Sequence, residues 1–403
     1  MTLEPYRRVL ALPGVRSLLL VALVARLPIT AVGVTLTLHV VLELERGYAA
    51  AGLVGAVITI GAGLGAPVLG RLVDRVGLRP MVAVTTVVEA LFWAVAAALP
   101  YPALLVASFL AGLLALPVFS VVRQSLAALV PEQQRRPAYS LDSMSVELAF
   151  MAGPVLAVFV VTTASSRTAM LAVGAAIVAA GAALFMFNPP TRSAEEEAAA
   201  SAGQVPRRAW LGSRMFAVLA VCAATTLVLS GTDVAVVAVL RDAGKVEWTG
   251  AVLALWGAYS MAGGFVYGGL TRALPPPALV GLLSVLTIPI GLVAGWPWLC
   301  LALLPAGALC APTLASTSDA VSRLVPAGAR GEAMGLHTSA LTVGLAAGAP
   351  LAGAAIDLAG PAWGFVAVGA VGSLLALAAL PAYRRHRRAP TPQVESAALV
   401  TTP

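Results

Sequence analysis

The chain is 403 residues long, 60% hydrophobic and only 11% charged, with a formal net charge of +7. Soluble domains carry roughly 25% charged residues, so this much apolar surface calls for lipid as its solvent. The basic excess suggests nucleic acid only if it is clustered without regard to a membrane, and Cys222, Cys300 and Cys310 lie apart in apolar runs with no metal-ligand spacing.

Residues 1–16 form a short basic lead with Arg7, Arg8 and Arg16. The apolar run that follows, 17–42, is too long for a signal-peptide core and reads as a retained span. Further runs at 51–72, 81–99, 102–126, 139–162 and 168–187 each approach the ~20 residues that a helix needs to cross ~30 Å of hydrocarbon. At 188–213 the character changes: Pro189-Pro190, Arg192, Glu195-Glu196-Glu197, an Ala/Ser/Gly stretch and Arg207-Arg208 read as a water-exposed linker. Runs resume at 214–240, 249–271, 277–295, 297–322, 333–357 and 361–383. The basic end, 384–403, reads as a disordered tail. The expected organisation is therefore an all-α integral membrane protein with a six-helix bundle at 1–187, a linker at 188–213 and a second bundle at 214–383.

Orientation follows from the cations. With both termini inside, all but six of the 25 fall in inner segments. Arg46, Arg167, Arg241 and Lys245 lie in outer loops, and Arg26 and Arg123 lie within spans. This is the positive-inside pattern, and it accounts for the net charge without nucleic acid. It implies a multi-pass membrane protein with cytoplasmic termini.

The halves also read as a duplication. Leu129-Val130-Pro131 recurs as Leu324-Val325-Pro326, and the same offset takes Pro117 to Pro312, Asp142 to His337 and Gly153 to Gly348. It takes Arg123 to Ser318, beside Asp319. A pseudo-twofold axis along the membrane normal would bring the fourth and tenth spans together, so Arg123 and Asp319 are expected to form an inner gate pair.

Between the second and third spans stands Gly70-Arg71-Leu72-Val73-Asp74-Arg75-Val76-Gly77-Leu78-Arg79-Pro80, a tight charged turn whose proline disfavours a continuous helix. Its Gly-x-Leu-x-Asp-Arg-x-Gly-x-Arg pattern resembles the signature of the major facilitator superfamily, with Leu78 replacing one family cation. The resemblance implies the twelve-helix facilitator fold in two pseudo-symmetric bundles. It also implies a gating role for Gly70, Asp74, Arg75, Gly77 and Arg79, in which the acid faces a helix start in the other half. Ala149 to Pro154 is similar to the antiporter signature of drug-exporting members, and Gly344 to Pro350 is an equivalent device. Gly153, Pro154, Gly348 and Pro350 are thus expected either to set direction or to let helices pack closely. With Arg26-Leu27-Pro28, Arg123 and Glu147, the chain looks like an actinobacterial, efflux-type group of this superfamily, a resemblance that implies secondary transport at the plasma (inner) membrane.

Ionised groups in hydrocarbon cost at least ~2.5–3.5 kcal/mol each. Arg26, Glu89 and Glu147 each lie nine or ten residues into a span, ~15 Å deep, which suggests a polar cavity. Glu147 is expected to carry a coupling proton, with Arg26 as its partner or as an anchor for substrate anions; a fixed Arg26–Glu147 ion pair is the structural alternative. Glu89 reads as a second cavity acid or a packing residue, and Asp233 as an outer-gate acid or an interface residue. His39 and Asp357 read as solvated, and His337 as a neighbour of Asp74. No phosphate loop or metal cluster is evident, so no cofactor is expected. The sequence thus points to a monomeric secondary transporter that moves a small molecule, not an enzyme. Proton-coupled export of an apolar or cationic compound is the first reading. Uptake or exchange of an anionic metabolite, or a non-transporting sensor, is the other.

Overall fold

The computed structural model describes residues 3–199, 206–270, 274–293 and 295–385, and among these there is no strand. Helices follow from the solvent: in hydrocarbon every backbone N–H and C=O must be satisfied within its own segment. The short α1 (Glu4–Ala11) precedes α2 (Val15–Leu42), α3 (Tyr48–Val76) and α4 (Leu78–Ala96). The fourth span is broken into α5 (Tyr101–Leu113) and α6 (Val118–Leu129), and α7 (Arg135–Thr163) and α8 (Ser166–Phe187) complete the first bundle. A linker helix, α9 (Ala194–Ala199), leads to α10 (Ser213–Asp242), α11 (Thr249–Gly269), α12 (Pro276–Thr287), α13 (Trp296–Gly307), α14 (Cys310–Leu324), α15 (Arg330–Ala359) and α16 (Pro361–Arg385).

Eleven of these segments are long and apolar enough to span, counting α5 with α6 and α13 with α14 as single passes. The expected run at 277–295 is shorter, Pro276–Leu292, because Pro289 enters just after α12 and the chain tightens into a 3-10 turn, Ile288–Leu292. The tail expected at 384–403 lies outside the described residues from 386 onward, as do residues 200–205 of the linker.

The duplication is visible as repeated packing. In the first bundle α2 lies along α7, and in the second α10 lies along α15. Thr30 of α2 donates to the carbonyl of Ala149 at 2.8 Å, and Thr226 of α10 donates to that of Leu341 at 2.7 Å. Between the bundles α3 packs on α15 and α7 on α11, two contacts that a twofold exchange of halves would interchange.

Glycines permit these crossings. A Cβ on Gly153 would lie 2.7 Å from the carbonyl of Leu27, and one on Gly348 would lie 3.0 Å from the Cα of Leu227. The outer surface is covered by exposed apolar side chains, among them Leu20, Val24, Leu64, Val68 and Phe159, in the quantity that a bilayer-facing surface needs. The basic lead is not merely surface: α1 buries Tyr6 and Val9, and Tyr6 stacks on Phe265 of α11 at 4.9 Å while its hydroxyl bonds the Phe265 carbonyl.

Candidate functional site

A cavity of about 900 Å³ lies between the bundles, walled by α6 and α7 on one side and by α10, α11, α14 and α15 on the other. Phe119, Phe150, Met151, Leu229 and Trp256 make most of its wall apolar or aromatic. Two carboxylates face it, Glu147 from α7 and Asp233 from α10. Asp233 also borders a second pocket, of about 690 Å³, with Arg241, Asp242 and Asp357 at the end of the bundles away from the linker. Asp357 is exposed there.

Glu147 is held from the other bundle. Ser260 of α11 donates to its Oε1 at 2.8 Å, and the Ala311 amide, at the start of α14, donates to the Ser260 oxygen at 3.0 Å.

Arg26 does not meet Glu147, contrary to expectation. It is fully buried, donating from Nη2 to Asp142 at 2.6 Å and from Nη1 to Ser145 at 3.3 Å, with its guanidinium 5.0 Å from the centre of the Phe119 ring. The reason is helical phase: Asp142 and Glu147 are five residues apart and so lie about 140° apart around α7. One faces α2 and the other α11.

Arg123 also differs from its expected pairing with Asp319. Its Nε lies 3.4 Å from Asp142 and its Nη1 3.2 Å from Nδ1 of His337 on α15. A guanidinium only donates, so His337 accepts at Nδ1 and carries its proton on Nε2, which points at Thr317 Oγ1, 3.1 Å away. His337 therefore sits in this network and not beside Asp74. Asp319 instead pairs with Arg323 one turn on, at 2.9 Å, and Arg323 reaches across to Glu132. Each has a partner in its own bundle, Asp142 for Arg123 and Arg323 for Asp319, which accounts for the change.

Glu89 is outside the cavity: it is buried on α4 and accepts from the indole of Trp93 at 2.8 Å. His39 is likewise buried rather than solvated, with Nδ1 3.2 Å from the Ser166 hydroxyl.

The charged turn closes the linker end. Asp74 accepts from the amides of Gly331 and Glu332 at 2.9 and 2.8 Å, at the N-terminus of α15, and from Gln124 at 3.2 Å. This is a favourable place for an anion, because unpaired amides and the helix dipole both point at it. Gly70 and Gly331 make the approach possible, since a Cβ on Gly70 would meet the Gly331 carbonyl. Gly77, at φ 88°, supplies the turn into α4. Arg79 stays in its own bundle, over the Phe185 ring and 3.3 Å from the Phe185 carbonyl, and Arg75 is exposed on the same turn of α3.

The linker adds to this closure, which the sequence did not suggest. Arg192 donates to the Asp74 carbonyl at 2.6 Å, Glu196 forks onto Arg330 at 3.0 and 2.6 Å, and Arg207 pairs with Glu332, which also lies 3.5 Å from Arg71. The cavity lies beyond these contacts, its lining running to Val155 and Gly250 near the opposite ends of α7 and α11. The bundles are thus closed at the linker end, with the cavity on the far side of that closure.

Asp142 and Ser260 were not singled out in the sequence. The replacement of Asp142 by His337 at matched positions was the available signal for the first; a lone serine in an apolar helix gives none for the second.

The sequence matches the profile of the Major Facilitator Superfamily over residues 18–295 and 277–402. No match is found among curated protein sequences. The fold is similar to that of the human organic anion transporter MFSD10 (TETRAN), at TM-score 0.70 and 19% identity, covering 91% of this chain and 100% of that one. It is similar to a bacterial homologue of the iron transporter ferroportin in its outward-facing state, at TM-score 0.70 and 16% identity, with 92% and 98% covered. The proton:xylose symporter XylE superposes at TM-score 0.66 and 14% identity, with 92% and 96% covered.

Proposed function

This chain belongs to the Major Facilitator Superfamily, and from that premise we propose that it is a proton-coupled exporter of small lipophilic cations. It is a multi-pass membrane transporter and not an enzyme. Its bundles, 1–187 and 214–383, rock about the midplane cavity. The chain is placed in the plasma membrane, and the positive-inside distribution supports termini and linker in the cytoplasm, so the closure described above is on the inner side and the cavity is taken to open outward. Both bundles and the cavity come from one chain, which supports a monomeric transport unit.

The observation that carries the substrate class is the charge balance of the cavity wall. Glu147 and Asp233 face a largely apolar, aromatic space, while Arg123, the cation that also borders it, is engaged by Asp142 and His337. Apolar walls with an anionic group suit an apolar body bearing a positive charge. The reading in which Arg26 anchors a substrate carboxylate has less support, because Arg26 is buried against Asp142.

Coupling follows from competition. A carboxylate that binds either a proton or a cation, but not both, makes outward movement of one depend on inward movement of the other. Glu147 is the proposed carrier, and the Asp74 turn steadies the inward-closed state.

The test is uptake of tetraphenylphosphonium by proteoliposomes with an acidic lumen, where protons leaving should drive the cation in. Glu147→Gln should abolish the dependence on the pH gradient. Uptake indifferent to the gradient, or unchanged by the substitution, would overturn the proposal.

A further inference from the structure

The contact between Glu147 and Ser260 is built more carefully than a chance meeting of two polar groups. On α11, Ser260 is preceded at three residues by Gly257 and followed at four by Gly264. On α7, Glu147 is preceded at three by Met144 and followed at four by Met151. The helices run antiparallel, and the two triplets face each other in register: a Cβ on Gly257 would lie 2.7 Å from the sulfur of Met151, and one on Gly264 would lie 3.2 Å from Cγ of Met144. The glycines remove the side chains that would hold α11 away from α7, and the serine hydroxyl therefore reaches the carboxylate.

The direction of that hydrogen bond is fixed by a third group. The amide of Ala311 is in the first turn of α14, where helical amides lack a partner within the helix, and it donates to the Ser260 oxygen at 3.0 Å. An amide nitrogen can only donate, so one lone pair of the hydroxyl is taken and its proton is left to go to Glu147 Oε1, 2.8 Å away. A hydroxyl committed as a donor bonds a carboxylate more strongly than a neutral acid.

We propose that Ser260 is a positioning residue of the coupling step, supplying Glu147 with a donor in this arrangement of the bundles and withdrawing it when α11 moves away with the second bundle. The inference rests on the reading of Glu147 as the proton carrier and adds its mechanism. With the bundles parted on the outer side, the Ser260 donor stabilises the ionised carboxylate left when the cation departs, until a proton from that side takes its place. With the α7–α11 seam rearranged, the carboxylate loses its donor and is costly unless it carries a proton or a cation. The rocking motion thereby changes the proton affinity of a group that itself stays on α7.

The other titratable groups facing Glu147 are Asp233 of α10 and the Cys310 thiol of α14, and Arg123 of α6 borders the same cavity. Asp233 and Cys310 belong to the second bundle and move with Ser260, whereas Arg123 on α6 belongs to the first and moves with Glu147.

The test needs no transported substrate. Infrared difference spectra of the detergent-purified full chain, recorded over a pH titration, report the carboxylic C=O band of protonated acids, and Glu147→Gln identifies the component due to Glu147. In Ser260→Ala the midpoint of that component should rise by about one pH unit or more, the expected effect of losing one hydrogen bond to a charged group. Ser260→Cys, similar in size but a weaker donor, should fall between the two and guards against an effect of misfolding in the alanine variant. An unchanged midpoint in both variants overturns the role of Ser260 while leaving Glu147 as carrier. A titration with no component removed by Glu147→Gln overturns the carrier assignment, and with it this inference.

Discussion

The guanidinium of Arg123 stands 3.2 Å from Nδ1 of His337 and 3.4 Å from the carboxylate of Asp142, the two residues that occupy matched positions in the duplicated halves. One cation from the first bundle is thus shared by an acid of its own bundle and by the imidazole that replaced that acid in the other. Arg26 binds the same Asp142, so two buried guanidiniums rest on one carboxylate. A neutral, Nε2-protonated imidazole accepts from the second of them without adding charge.

The first prediction concerns that carboxylate. Asp142→Asn leaves Arg26 and Arg123 buried without an anion, and breaking a buried pair from one side costs about 3–5 kcal/mol. A large fall in the thermal unfolding temperature of the purified protein is expected. Combining it with Arg26→Gln should recover much of the loss, because removing both partners is less harmful than removing one. A single variant as stable as the parent would show that Asp142 does not hold these cations.

The second concerns the turn after α3. In Asp74→Asn the two amides at the start of α15 lose a charged acceptor, and a loss of about 1.4 kcal/mol corresponds to a tenfold shift in the balance of states. Gly70→Ala should act in the same direction by pushing against the Gly331 carbonyl. With the three native cysteines replaced and Ser339→Cys introduced beside Gly63, both variants should be labelled faster from the linker side. Equal labelling rates would remove the turn from the gate.

How much of this was legible in the sequence depends on what each feature needs. Composition and run length were enough for the spans, and depth along a helix was enough to mark Arg26 and Glu147 as costly groups. Their partners were not legible, because Asp142 and Glu147 differ by about 140° in helical phase and which face meets which neighbour is set by packing between helices. The linker misled for a related reason. Arg192 and Glu196 read as solvated because they are charged, yet their partners, the Asp74 carbonyl and Arg330, are groups at helix ends that composition does not reveal.

The third prediction uses that linker. Partial burial alone would raise the pKa of Glu196, but the Arg330 fork, the Ser193 amide and nearby arginine charge outweigh it and hold the carboxyl below the usual range. A depressed value stabilises the docked linker above the ordinary carboxylate pKa near 4.5 and loses that contribution as pH falls through the lowered value. With Arg330 buried and Glu196 26% exposed, the fork contributes on the order of 1 kcal/mol. A spin label at Glu195 should be restrained at neutral pH and loosen as the pH falls below the ordinary carboxylate range, whereas Glu196→Gln should be loose throughout. A label equally restrained in both proteins at both pH values would show that Glu196 is not what docks α9.

The last prediction separates close packing from any direction-setting role of the Gly-Pro pairs. Gly153 sits against Leu27 and Thr30 of α2, and Gly348 against Leu227 of α10, so each serves a crossing within one bundle and not the seam between them. Valine at either position must push two helices apart inside a bundle, at a cost of about 1–3 kcal/mol or more. Gly153→Val and Gly348→Val should therefore lower thermal stability to similar extents, as expected of equivalent positions in a duplicated fold, while variants that still fold keep the parental direction of tetraphenylphosphonium movement. Full stability combined with reversed or uncoupled movement would instead make these glycines part of the mechanism, and would show that the two crossings transmit the rocking motion.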